Sequence, residues 1–209
     1  AAVMDAAGEW VFVVHGGLGE DSGWELSPVV TERWRRTELR DARGLARIGD
    51  HLLVSRFRSS SAGGLLWSFS TDPEGEDLLQ ATLAPDPGPD SDTTSRGIPS
   101  YLQRVLVSPD GRTAWLPSLQ ANIERGEWRD GLPLTHETTA RAVLSQVALD
   151  SAGLGVEGDR KVFDDRDLAA DAALSPRGDW VYVAMVGMET VDVLDAYTLE
   201  TSGSVQGVG

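Results

Sequence analysis

The sequence predicts an all-β fold, and three observations carry the prediction. The first is a pair of short runs rich in β-branched and aromatic residues, Trp180-Val181-Tyr182-Val183 and Val191-Asp192-Val193-Leu194. Turn residues bound both, with Ser175-Pro176-Arg177-Gly178 before the first and Gly187-Met188-Glu189 between them. Runs of this length between such turns read as strands, not helix. The second is recurrence of the unit: a turn glycine, a polar residue, then a strand. Gly8, Gly49, Gly111 and Gly178 each start one, followed at the fourth and fifth positions by Phe12-Val13, Leu53-Val54, Trp115-Leu116 and Tyr182-Val183. Glycine suits such turns because it alone takes positive φ cheaply. The third is spacing. The glycines lie 41, 62 and 67 residues apart, and a period of about 40–45 residues carrying four strands is the signature of a β-propeller blade. The longer intervals then need insertions, and the sequence supplies them.

The expected architecture is a single propeller segment over residues 1–209, with blades at about 1–40, 41–100, 101–172 and 173–209. In the first blade, Ala1 to Met4 and Trp10 to Val14 are strands. His15-Gly16-Gly17-Leu18-Gly19 opens a loop through Trp24, and Val29 to Leu39 holds two outer strands, with a short helix over Thr31–Arg40 as the alternative. In the second, Leu45–Ile48, Leu52–Arg56, Leu65–Ser70 and Leu78–Leu83 are strands, with a turn at Asp72-Pro73-Glu74-Gly75. Residues 84–100 are rich in Pro, Gly, Ser and Asp and form a long surface loop. The third blade starts at Leu102 and has strands ending at Leu116-Pro117 and running over Val143–Leu149, with an insertion from Ser118 to Arg141 between them. Residues 155–172 carry its outer strand and the acidic run Asp164-Asp165-Arg166-Asp167; the fourth blade starts at Ala173.

Composition excludes several functions. A net charge of -15 argues against nucleic acid, whose binding needs phosphate neutralisation, and against anionic membrane surfaces. No apolar run approaches the roughly 18 residues of a membrane helix, so no membrane insertion is expected. There is no basic and apolar leader in these residues. With no cysteine, the chain holds neither a disulfide nor a covalent haem attachment site.

In a four-stranded antiparallel blade, the loop between the second and third strands shares a face with the blade-to-blade connections. The loops at 15–24, 84–100 and 118–141 therefore gather on one face. Function tends to sit on loops held by a rigid scaffold. An open stack of four blades would expose a sheet at each end, so more blades, about seven in all, or a partner over the edge are expected.

Ser108-Pro109-Asp110-Gly111-Arg112, Trp180 to Val183 and Thr190-Val191-Asp192-Val193-Leu194-Asp195 resemble the YVTN-type bacterial β-propeller family. Pro117-Ser118 with Gln120, Asn122, Arg125-Gly126, Asp130-Gly131 and Thr138 to Ala142 resembles an insertion in propellers fused to c-type cytochrome domains similar to di-haem cytochrome c peroxidases of the MauG type. Asp165-Arg166-Asp167-Leu168 and Val191 to Tyr197 fit the same group. The resemblance implies a periplasmic or extracellular protein in which the propeller is a scaffold and the haem c lies outside this chain, which lacks Cys-x-x-Cys-His. The partner would be a fused cytochrome domain or another protein at the long-loop face. The other reading is a standalone secreted or surface interaction propeller with no redox role, and a third is a small-ligand or cation site at the channel mouth.

No nucleophile, base and acid set stands in a motif context, so no catalytic residue is assigned. The candidate interaction face comprises Trp24, Asn122, Arg125, Trp128, Asp130, His136 and Arg141. Asn122, Arg125, Asp130 and Arg141 can pin the insertion to the propeller, since a guanidinium offers five donors to carboxylates and carbonyls. Trp24 and Trp128 are contact candidates because aromatic anchors dominate interfaces; Trp10, Trp115 and Trp180 read as core. His15 and His136 would share the loop face, where a joint metal or haem-edge site competes with ordinary loop polarity; His51 reads as structural. Asp164, Asp165 and Asp167 are cation candidates, with calcium as the ion, although an arginine-paired acidic turn explains them as well. Asp86, Asp90 and Asp92 read the same way.

Overall fold

The computed structural model describes residues 1–4, 7–16, 20–26, 29–72, 74–75, 78–150 and 153–208. Four antiparallel sheets follow one another along the chain. The first holds β1 (Ala2–Met4), β2 (Trp10–His15), β3 (Glu20–Glu25) and β4 (Thr31–Arg36). The second holds β5 (Ala42–Ile48), β6 (His51–Arg56), β7 (Gly64–Ser70) and β8 (Leu78–Leu83). In the third, β9 (Ile98–Ser100) and β10 (Leu106–Val107) both pair with β11 (Thr113–Ala121). A single helical turn α1 (His136–Thr139), β12 (Ala140–Ala148) and β13 (Glu157–Val162) follow. The fourth holds β14 (Leu168–Leu174), β15 (Trp180–Val186), β16 (Thr190–Asp195) and β17 (Thr201–Gln206). These are four blades of a β-propeller.

The repeat turns fold as their glycines dictate. Gly8, Gly49, Gly111 and Gly178 have φ of 73°, 53°, 69° and 75°, a region that costs a residue with a Cβ about 1–2 kcal/mol. The strand after each glycine alternates its side chains between two faces; in the second and third sheets both faces pack on neighbouring sheets, and in the first and fourth one face does. Phe12 and Val14 meet Leu45, Leu52 and Phe69 between the first and second sheets. Leu53, Leu66 and Leu83 meet Ala114, Leu116 and Val147 between the second and third. Trp115 and Leu144 meet Val181, Val183 and Leu194 between the third and fourth. Each large side chain so buried contributes roughly 1.5–3 kcal/mol.

Several expectations need correction. Trp24 lies in β3, opposite Val11 of β2, and not on a loop. The expected loop from His15 to Trp24 is a hairpin in which His15 pairs with Glu20; its Gly17, Leu18 and Gly19 lie outside the described residues, as do Asp5, Ala6, Pro73 and Gly209. Val29 to Leu39 holds one strand, β4, because β3 already supplies the third position, and the helix alternative for Thr31–Arg40 falls with it. The insertion is shorter than 118–141, since β11 and β12 pair as far as Ala121 and Ala140. The innermost position of the third sheet is split, and its first piece, β9, occupies the end of the expected 84–100 loop. The fourth sheet begins at Leu168 and not at Ala173, because Leu168–Leu174 pairs with β15.

Candidate functional site

The connector after β8, the insertion after β11 and the turn after β13 meet on one face. A half-buried carboxylate organises them. Asp90, in the connector, accepts at Oδ1 from the Arg96 backbone N–H (2.8 Å) and at Oδ2 from Arg96 Nη2 (2.9 Å) and Arg125 Nη1 (3.1 Å). Asn122 Nδ2 donates to Asp90 Oδ1 at 3.2 Å. Burial alone would raise the Asp90 carboxyl, but the Arg96 side chain and backbone, with Arg125, outweigh it and hold it below the ordinary value.

Arg96 carries the frame onward. Its Nη2 also donates to Asp130 Oδ2 at 2.6 Å, and its guanidinium is held above its ordinary range by Asp90 first and Asp130 second. Asp130 in turn is lowered mainly by Arg96, and its Oδ1 accepts from the backbone of Gly126 (3.1 Å) and Leu132 (3.2 Å). The loop tip is thus closed on its own carboxylate. Asn122 Oδ1 accepts from the Glu124 and Arg125 amides, and its Nδ2 also reaches the Thr138 carbonyl at 2.9 Å. Thr135 and Thr138 cap α1 reciprocally.

Arg141 is buried, at the start of β12. It donates to the carbonyls of Glu137 (2.8 Å), Ser91 (3.2 Å) and Asp92, and to Asp164 Oδ1 (3.0 Å). One guanidinium therefore ties the connector, the helical turn and the turn after β13 together. Asn122, Arg125, Asp130 and Arg141 all spend their polar groups inside the loops.

Trp128 is the opposite. It stands on the tip between Gly126 and Asp130 and is 99% exposed. Ile123, Leu132 and Leu134 of the same insertion are also exposed. A cleft of about 320 Å³ is lined by Ile123 with Pro85, Pro87 and Ile98 and by the polar Asp86, Arg96, Asn122 and Glu124. An exposed indole on a loop held by its own hydrogen bonds can seat against a partner, while the cleft is lined by polar and apolar groups alike.

The histidines do not converge. His15 Nε2 bonds Ser22 Oγ at 2.9 Å, His136 Nε2 faces Asp167 Oδ1 at 3.3 Å, and His51 opens β6 beside Gly153. The cation reading of Asp164, Asp165 and Asp167 is not carried by the geometry: Asp164 meets Arg141, Asp167 meets His136, and no three metal-ligating side chains gather among the described residues. Trp24 sits in β3 with Ser22, to whose Oγ its Nε1 donates at 2.8 Å.

Sequence reasoning missed Asp21. It is fully buried at the start of β3, with Oδ1 accepting from the Ser22 amide at 2.9 Å and Oδ2 without a partner. Burial pushes its carboxyl up to about 7 against the pull of the Ser22 amide and Arg36. Its signal is an acid inside a strand, which only the strand assignment reveals.

No protein-family model matches the chain, and no curated protein does. Solved structures match it by shape. Hydrazine synthase of Kuenenia stuttgartiensis superposes with a TM-score of 0.64 at 13% identity, over 92% of this chain and 51% of that one. A candidate 6-phosphogluconolactonase of Bacteroides uniformis gives 0.62 at 12% identity, over 98% and 54%. Dihydro-heme d1 dehydrogenase NirN in complex with DHE gives 0.53 at 10% identity, over 99% and 39%. Identities this low show the fold alone. The chain spans about half the length of the first two structures. No helix among the described residues is long and apolar enough to cross a membrane.

Proposed function

We propose that this chain is a non-catalytic propeller scaffold that docks a protein partner on its loop face, within an exported haem-c protein resembling the di-haem cytochrome c peroxidases. The observation that carries the docking role is Trp128, wholly exposed on a tip whose backbone is fixed by the Asp90, Arg96 and Asp130 network. An aromatic anchor held rigid before binding loses little entropy on capture, and truncating such an anchor costs about 2 kcal/mol or more of affinity. The haem assignment is supported by the resemblance of the insertion and by a structural neighbour whose name includes heme d1. The haem lies outside this chain, since no cysteine is present to attach it. A standalone secreted propeller is the second reading, favoured by that same absence.

The test is the mass and visible spectrum of the native protein from its source. A Soret band in a protein heavier than 22.4 kDa supports the haem assignment. No visible absorbance sinks it and leaves the standalone reading. In either case Trp128→Ala is expected to weaken partner binding at unchanged Tm, and binding that survives the substitution removes the docking role.

A further inference from the structure

The three joints between neighbouring sheets differ at the end opposite the insertion. At the middle joint the chain fills the space itself. Gly153, in the connection after β12, lies against His51 and Ser68, and Leu154 is buried in one cluster with Leu53 and Val147. The first joint keeps a cleft of about 490 Å³, but Arg47 and Asp50 on its wall pair with each other at 3.7 Å.

The third joint is neither filled nor paired. Its cleft, of about 370 Å³, is lined by Pro109, Asp110 and Trp115 on the third-sheet side and by Arg177 and Tyr197 on the fourth-sheet side. The Asp110 Oδ1 accepts from the Ser108 hydroxyl and from the Arg112 amide at 3.1 Å, and these hold the carboxyl below its ordinary value, so it is charged. Among the described residues Asp110 Oδ2 accepts from nothing and Arg177 makes no ion pair. Trp115 is 3% exposed, and its buried Nε1–H has no partner. A buried donor left unmet is costly in a folded protein. One carboxylate, one guanidinium and one indole N–H thus line a single cleft with bonding capacity to give.

Charge decides what fits. Asp110 repels a simple anion and Arg177 a simple cation, whereas a molecule bearing both charges answers both. We propose that this cleft binds a free α-amino acid with an apolar or aromatic side chain. Arg177 and the Trp115 N–H take its carboxylate, to whose two oxygens a guanidinium fork is matched. Asp110 takes its ammonium group, and Pro109 and the Tyr197 ring offer apolar surface to the side chain. The volume is within the range of small-molecule sites.

The test is a titration with L-phenylalanine followed by nuclear magnetic resonance. The Trp115 indole N–H signal is expected to move and to saturate at about 1–10 mM ligand. Two probes each lack one charge: 2-phenylethylamine has no carboxylate, and 3-phenylpropanoate has no ammonium group. Each is expected to bind roughly tenfold more weakly, having lost one charge-assisted contact. Arg177→Ala and Asp110→Asn alter exposed turn residues, so both are expected to keep the far-ultraviolet dichroism of the native chain. Arg177→Ala is expected to weaken L-phenylalanine while leaving 2-phenylethylamine as it was. Asp110→Asn is expected to weaken L-phenylalanine while leaving 3-phenylpropanoate as it was. An indole signal that does not move overturns the proposal. So do three probes of equal affinity, or variants that weaken all three alike.

Discussion

Trp128 and Tyr182 are both exposed aromatics, yet their exposure differs in origin. Trp128 sits on an insertion that has no counterpart in the other three blades, and the groups around it satisfy one another without it. Tyr182 occupies a repeat position whose equivalents Phe12, Leu53 and Trp115 are buried. Exposure at an irregular position marks a feature added to the scaffold. Exposure at a regular one marks a face that no other sheet of the described residues covers.

The sharpest way to break this comparison is to truncate an equivalent pair. Trp115→Ala is expected to cost about 3–5 kcal/mol in urea unfolding, since it empties the joint between the third and fourth sheets. Tyr182→Ala is expected to cost about 1 kcal/mol or less. Equal costs would mean that Tyr182 is already packed.

The next largest effect belongs to Asp21, whose folded value of about 7 exceeds its ordinary 3.8. Below about pH 4 both states hold the proton and the stabilisation is complete. As pH rises toward 7 the unfolded chain releases its proton and the folded chain does not, so stability falls, by on the order of 4 kcal/mol across the window. Asp21→Asn is expected to flatten this profile and to stabilise the protein near pH 8. An unchanged profile in denaturant titrations would show that another group sets it.

Asp90→Ala follows, at about 2 kcal/mol, because it leaves Arg96, Arg125 and Asn122 around a missing acceptor. Faster hydrogen exchange over residues 122–139 is expected, with the sheets unaffected. Exchange that stays slow would show the frame to be redundant. Trp128→Ala has the smallest effect, within about 0.5 kcal/mol. It is expected to remove the tryptophan most open to acrylamide quenching, and a clear fall in Tm would mean that the indole packs against something.

The fold was legible where local chemistry decided it. The four glycine turns and the strands after them follow from positive φ and period-two alternation, and the strand at Leu78–Leu83 matches the sequence reading end to end. It was obscure where tertiary context decided. Glu20–Glu25 (EDSGWE) has no apolar run, and its pairing rests on the strands either side. Leu168–Leu174 (LAADAAL) is alanine-rich, as a helix would be, yet small side chains suit an innermost strand close to its neighbours. The insertion was visible as a polar segment between two apolar ones. Its bonding was not, because Asp90, Arg96, Asp164 and their partners lie many residues apart.

Arg141 bears on how such a protein can be re-engineered or can diverge. It contacts the connector, the helical turn and Asp164 at once. The insertion is therefore not a portable cassette. Transplanted into another propeller with the start of β12, it would carry a buried cation away from the carbonyls and carboxylate that neutralise it. A successful graft must move three segments from separate parts of the chain together, and natural variation in any one of them is bound to the other two.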